Sequence, residues 1–302
     1  MAVFTRAHVQ PDDLTDLTDG FLTREPSPGV FVLTNANYQS VFFTTGEGVV
    51  LVDAPEPLVE FIGPAVAEVT DEPITTLIYS HGHSDHIGGA RLVADTVPGL
   101  EIVAEQRTAE FLAAKNDPRR PAPTRAFDTE QTVTKGDRTI HLFREAFHSA
   151  DGDVVLYLPN EKFMVAIDLI APGWVPLLDF DITENLFSYM GAFDRLLAYD
   201  FETFVSGHTA DVAGRWDVEI TKTYTMDVYH TVKRIHDELN VEELLGSERD
   251  NEQAGIKTLI ETTTETAAAE VMSRWQDGPM KGVELWTESH CRAMTVYVRW
   301  TD

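Results

Sequence analysis

His81-Gly82-His83-Ser84-Asp85-His86-Ile87-Gly88-Gly89 is the stretch whose reading decides this chain. It packs three imidazoles and a carboxylate between His81 and His86. The apolar run Thr75 to Tyr79 before it reads as a buried strand, and Ala90 to Ala94 after it as a helix. In an extended loop residues i and i+2 point the same way, so His81 and His83 can reach one ion. Asp85 and His86 fall where the chain turns into the helix and can face a second ion. Gly88-Gly89 lets backbone pack closely behind them. Nitrogen and oxygen donors in this pattern suit zinc. By composition the pattern arises by chance on the order of once per thousand chains of this length.

Six residues cannot close two sites, so further donors are sought outward from the motif. Upstream, Gly29 to Leu33, Ser40 to Thr44 and Gly48 to Asp53 read as strands, with Gly46-Glu47-Gly48 a hairpin turn and Asn35 to Tyr38 a second turn. Pro57 to Thr70 has helical spacing. Residues 1–26 read as an irregular polar arm. Downstream, Glu101 to Ala104 is a strand, Thr108 to Ala114 a helix and Asn116 to Phe127 a loop with Arg119, Arg120 and Arg125. Thr139 to Phe143, Val154 to Leu158, Phe163 to Ile167 and Thr203 to Ser206 read as strands, and Thr183 to Tyr199 as a helix. Three further donors each sit just past a strand's C-terminal end: His148, Asp168 and His208. Side chains at several strand ends can converge at one edge of a sheet.

With these residues in view, the chain resembles the metallo-β-lactamase superfamily. His81 to His86 matches the family's His-x-His-x-Asp-His, and Val49 to Asp53 its strand ending in Asp. His148 matches the third histidine, Asp168 the bridging Asp and Gly207-His208 the final Gly-His. Ile167 replaces the usual Gly before the bridging Asp. The resemblance covers about residues 28–210. It implies an α/β fold, an αββα four-layer sandwich of two mixed β-sheets with outer helices. It implies one metal on His81, His83 and His148, a second on Asp85, His86 and His208, and Asp168 between them. Asp53 is then the residue that orients the motif loop.

After about Gly214 the composition changes. Ile220, Tyr224, Val228, Thr231, Val232, Ile235 and Leu239 line a helical face, and a second helix is expected from Gln253 to Gln276. Lys281 to Trp300 reads two ways, because Met294, Val296, Val298 and Trp300 alternate as a strand would while its start looks helical. The expected organisation is an N-terminal arm (1–26), a metal-binding domain (27–214) and a helix-rich C-terminal extension (215–302) packed on the same domain. A homodimer through those C-terminal helices is one expectation.

Composition narrows the chemistry. With 50 Asp plus Glu against 23 Lys plus Arg, the formal charge is −27, which repels a nucleic acid backbone. One cysteine, Cys291, excludes an intrachain disulfide and a thiolate cluster. No basic start with a following apolar run is seen, and no apolar run is long enough to span a bilayer, so a cytoplasmic protein without membrane partners is expected. The expected activity is a dinuclear zinc-dependent hydrolase, two Zn2+ per chain, with iron or manganese as other occupants. A metal-bridging hydroxide would attack a small, partly apolar ester, lactone or lactam. Asp85 and Asp168 are the candidate catalytic carboxylates. Tyr38, Trp174, Leu177, Phe180 and Tyr189 are candidates for a substrate wall. Alternatives on the same scaffold are a mononuclear iron sulfur or persulfide dioxygenase, a hydrolytic dehalogenase and a sulfatase.

Overall fold

The computed structural model describes residues 17, 20–149, 152–209, 211–246 and 251–302. The first sheet has seven strands in chain order: β1 (Leu22–Ser27), β2 (Val30–Thr34), β3 (Gln39–Phe43), β4 (Val49–Val52), β5 (Ile74–Ile78), β6 (Glu101–Glu105) and β7 (Arg125–Phe127). The first four pair antiparallel; β4 to β7 run parallel. The second sheet has six strands: β8 (Glu130–Lys135), β9 (Arg138–Glu145), β10 (Asp153–Leu158), β11 (Phe163–Val165), β12 (Thr203–Val205) and β13 (Ala213–Gly214). It is antiparallel except where β11 meets β12.

Strand alternation sorts the apolar side chains into separate cores. On β2, Val30 and Val32 face the second sheet, where they join Leu142, Leu156 and Val165. Phe31 and Leu33 point the other way and pack with Leu58, Ile62 and Val66 near and on the helix Val59–Val69. Both faces of the strand are buried, so it reads as one continuous apolar run. The outer face of the second sheet, with Val155, Met164 and Phe204, packs against the helices Leu186–Leu197 and Arg215–Glu238. The result is two mixed sheets face to face with helices outside both.

The C-terminal region is helical, with the long helices Arg215–Glu238, Glu252–Trp275 and Val283–Trp300. The last of these resolves the two-way reading of Lys281 to Trp300. Met294 and Val298 are buried, but Val296 and Trp300 are 40% and 56% exposed. Val283, Thr287, His290, Cys291, Met294, Thr295 and Val298 are the buried set, recurring at spacings of three and four residues. Three strand segments depart from the sequence reading. β1 lies within the expected irregular arm and β7 within the expected loop, while β8 had no assignment. Their sequences are polar and half exposed, so pairing through backbone carries no apolar signature. The rest of the expected arm, 1–16 and 18–19, lies outside the described residues.

Candidate metal centre

Each candidate donor sits where a strand ends. β5 runs into the histidine motif, β9 precedes His148, β11 precedes Asp168 and β12 precedes His208. The short helical turn Ser84–Ile87 starts directly after His83, which turns Asp85 and His86 away from His81 and His83. The two sheets are stitched together beside them. Gln39 on β3 donates its backbone N–H to the Gly207 carbonyl at 2.7 Å, and its side-chain oxygen accepts the Gly207 N–H at 3.3 Å.

The donors converge in two groups. His81, His83, His148 and Asp168 offer ligand atoms that all lie within 4.8 Å of one another, and so do Asp85, His86 and His208. Asp168 stands between them. Its Oδ2 lies 3.4 Å from His81 Nε2, 3.0 Å from His86 Nε2 and 3.4 Å from His148 Nε2. Its Oδ1 lies 3.2 Å from His208 Nε2. Asp85 Oδ2 is 3.4 Å from His86 Nε2, and its side chain is 42% exposed, so it is the carboxylate on the open side.

These groups suit metal ions better than one another. His81 Nε2 and His86 Nε2 are buried and make no hydrogen bond, despite the carboxylate nearby. Buried polar atoms are ordinarily paired, so such orphans need an explanation. Donor atoms arranged round a common centre supply one. Burial lowers the His81 imidazole well below its usual range and takes His148 down to about 4, so both are neutral, as ligands must be. Burial also pulls on His86, but Asp168 outweighs it and pushes that imidazole up to about 10 in the absence of metal.

A second layer holds the donors in place. Ser80 Oγ lies 2.9 Å from His81 Nδ1, and His208 Nδ1 donates to the Asn37 carbonyl at 3.1 Å. Asp53, at φ 58°, accepts the Ser80 N–H at 2.8 Å, and burial raises its carboxyl to about 6. Asp153 accepts the N–H groups of His148 at 2.8 Å and Ser149 at 3.0 Å. The Arg120 guanidinium donates to the Gly82 carbonyl. Gly207 has φ +91°, and a Cβ there would come within 3.0 Å of His86 Cε1, so only glycine lets the His208 segment close on His86.

Sequence reasoning missed Ser80, Asn37, Asp153 and Arg120. Asp153 had a faint signal as an acid at the turn after His148, but nothing local separates a buried cap from a solvated turn.

Tyr38 stands at the site, its ring 5.0 Å from His208 and 6.1 Å from His86. Leu177 is 37% exposed. The substrate-wall expectation needs correcting at two positions. Phe180 and Tyr189 are fully buried, so they cannot line an open pocket. Phe180 stacks on His290 at 4.4 Å and Tyr189 donates to the Leu169 carbonyl at 3.0 Å, which makes them packing beneath the loop. Trp174 lies against Gly282 and below Lys281.

Comparison with known proteins agrees with this geometry. Residues 34–208 match the family model described as the metallo-beta-lactamase superfamily. The alpha subunit of a 2,4-dinitroanisole O-demethylase from Nocardioides sp. (strain JS1661) is 28% identical over 195 residues, 62% of this chain and 57% of that one. A beta-lactamase-like protein 2 homolog from Caenorhabditis elegans is 25% identical over 205 residues, 67% of this chain and 64% of that one. The matched region thus spans less than two thirds of either relative. Among solved structures, a metallo-beta-lactamase from Pontibacter korlensis superposes with a TM-score of 0.58 at 21% identity, covering 67% of this chain and 97% of that one. A stereoselective inverting sec-alkylsulfatase from Pseudomonas sp. gives 0.61 at 17% identity, covering 92% of this chain and 50% of that one. At these identities the structures speak to the fold alone.

Proposed function

The chain belongs to the metallo-beta-lactamase superfamily, and from that premise we propose that it is a metal-dependent hydrolase, holding two zinc ions and cleaving an ester, lactone or lactam-type bond in a small organic substrate. One observation carries the reading: seven donors from four strand ends form two groups, with both oxygens of Asp168 between them. His81, His83 and His148 would hold one ion, Asp85, His86 and His208 the other, and Asp168 would touch both. Bound dications bring the pKa of water towards neutrality and polarise a carbonyl.

The protein's own groups do the rest. Asp85, on the open side, can hold or take up a proton at Oδ2. Burial raises the Tyr38 hydroxyl, and Asp85 and Asp168 raise it further, so it stays protonated and can donate a hydrogen bond to a substrate oxygen. Leu177, Leu178 and Ile182 are 37%, 43% and 55% exposed on the loop that follows Asp168, and Phe187 is 70% exposed in the first turn of the helix Leu186–Leu197. They offer an apolar seat for the rest of the substrate.

A second reading is hydrolytic cleavage of an activated aryl ether. The relative named for 2,4-dinitroanisole O-demethylation favours it.

The test is metal content together with turnover. The expected result is near two zinc ions per chain, and hydrolysis of a neutral ester and lactone panel that a chelator abolishes and zinc restores. Fewer than one tightly bound ion, with no rescue by zinc, overturns the proposal. Turnover of 2,4-dinitroanisole without ester hydrolysis selects the second reading. One iron per chain, with oxygen uptake on a persulfide, selects the dioxygenase.

A further inference from the structure

Gln39 is a buried amide on the apolar face of β3. It is 0% exposed, and Val41 and Phe43, which share its side of the strand, lie in the core between the two sheets. An amide taken out of water is costly unless its polar atoms are paired. Both ends of this one are. Its Oε1 accepts the Gly207 N–H at 3.3 Å, and its Nε2 donates to the Asp211 carbonyl at 2.7 Å. A backbone N–H can only donate and a carbonyl can only accept, so a single orientation of the amide satisfies both partners. Those partners bracket a metal donor: Gly207 directly precedes His208, and Asp211 follows it.

The bracketed turn needs holding. Gly207 has φ 91° and Thr209 has φ 70°, so a residue other than glycine sits in the left-handed region beside the donor. That conformation costs roughly 1–2 kcal/mol. The ladder between β11 and β12 ends at Val205. Past that point the first sheet reaches across. The Gln39 N–H donates to the Gly207 carbonyl at 2.7 Å, and the Thr34 hydroxyl donates to the Thr209 carbonyl at 3.3 Å. The Asn37 carbonyl accepts the Thr209 N–H at 3.3 Å and His208 Nδ1 at 3.1 Å. These partners all lie on β2, β3 and the turn between them. The turn so held aims His208 Nε2 at the other donors, 3.2 Å from Asp168 Oδ1 and 3.8 Å from Asp85 Oδ2.

The first group of donors is braced by different residues. Ser80 lies at His81, Arg120 at the Gly82 carbonyl and Asp153 at the His148 N–H. The two sets of braces share no residue, so one can be removed without the other.

We infer that Gln39 is a positioning residue for one of the two metal sites: it sets how tightly the Asp85, His86 and His208 group holds its ion and leaves the His81, His83 and His148 group alone. The inference rests on the two-ion reading above and adds the residue that governs the second ion. A ligand has to stay within about 0.5 Å of its working position, which a turn released from its brace does not ensure.

The test titrates the metal-free full chain with zinc in competition with a chelator of known affinity. His148→Ala and His208→Ala show which binding step belongs to which group. Gln39→Met keeps the side-chain length and removes both amide bonds, while the backbone bond from residue 39 to Gly207 stays available. In this variant the step that His208→Ala abolishes should weaken about tenfold or more, while the step that His148→Ala abolishes should move by less than about twofold. Gln39→Glu is the second variant. It keeps the acceptor for Gly207, sets an oxygen against the Asp211 carbonyl and should show the same selective loss. Melting of each metal-free chain is followed alongside, since a purely structural role would lower it and weaken both steps together. Equal weakening of both steps, or no change in either, overturns the inference. So does a failure of both variants to fold, which would make Gln39 a support of the fold. A wild-type chain with fewer than two zinc-binding steps overturns the two-ion reading and this inference with it. Two steps in wild type that persist unchanged in both variants overturn this inference alone.

Discussion

Tyr38 and His208 are the clearest case of chemistry made by single residues from distant parts of the chain. They form an isolated antiparallel bridge, and their rings lie 5.0 Å apart. Among the described residues the Tyr38 hydroxyl makes no hydrogen bond to the metal donors, so it is available to substrate. Tyr38→Phe should lower kcat on a neutral ester about tenfold, the worth of one hydrogen bond that strengthens in the transition state. KM should move by less than about twofold and zinc content should hold. A variant with unchanged kcat, or one that loses zinc, rules out the donor role. At this scale the candidate donors were legible in sequence because a His-x-His-x-Asp-His run is local. Asp153 was not, because its role depends on His148, which only folding brings near.

The elements that matter most are the loop from Leu177 to Glu184 and the helix Val283–Trp300 that holds it. His290 is their joint. A carbonyl can only accept, so Nε2 carries the proton and donates to Leu177. Nδ1 then accepts from the Tyr224 hydroxyl at 2.8 Å, and Tyr224 in turn accepts from Thr287 at 2.8 Å. Every partner is satisfied only if His290 is neutral. Burial takes its imidazole down to about 4, against 6.5 when unfolded. The unfolded chain therefore binds the extra proton first as pH falls. Stability from this group is complete above about 6.5 and is lost as pH drops towards 4, an interval worth roughly 3 kcal/mol. His290→Leu should cost about 1–3 kcal/mol at pH 7.5, since it leaves the Leu177 carbonyl unpaired and removes one of the two partners of the Tyr224 hydroxyl. Its urea midpoint should also fall less steeply than that of wild type between pH 6.5 and 4.5. Parallel pH curves would remove His290 as the titrating joint.

Across the whole molecule, charge and core pull in different directions. The formal charge of −27 makes the folded state self-repelling, while the C-terminal helices share one apolar core with the second sheet. Salt screens the repulsion and leaves the core in place. The melting temperature should rise by roughly 5 °C between 0.05 and 1 M KCl, a shift that corresponds to about 3 kcal/mol in a chain of this size. A flat or falling response would mean that the surface ion pairs outweigh the net charge. Among the described residues no helix is long and apolar enough to cross a membrane. Cys291 is buried in the C-terminal core with its thiol pushed up to about 12, so it is chemically quiet.

The amino-acid order by itself determined the two-sheet architecture, the seven donors and their sequence along the chain. Those signals are local: apolar strands buried on both faces, and polar side chains set just past strand ends. Tertiary structure decided the rest. Backbone pairing made strands of the polar segments Leu22–Ser27, Arg125–Phe127 and Glu130–Lys135. Burial against neighbouring helices selected the three-and-four spacing of Thr287, Cys291, Met294 and Val298 over a competing alternation. Contacts across more than a hundred residues, from Ser289, His290 and Arg292 to Leu177 and Asp179, held a left-handed turn that no local preference would form. The candidate donors are set by what each residue is; the turn at Leu177 and Asp179 is set by what the C-terminal helix holds in place.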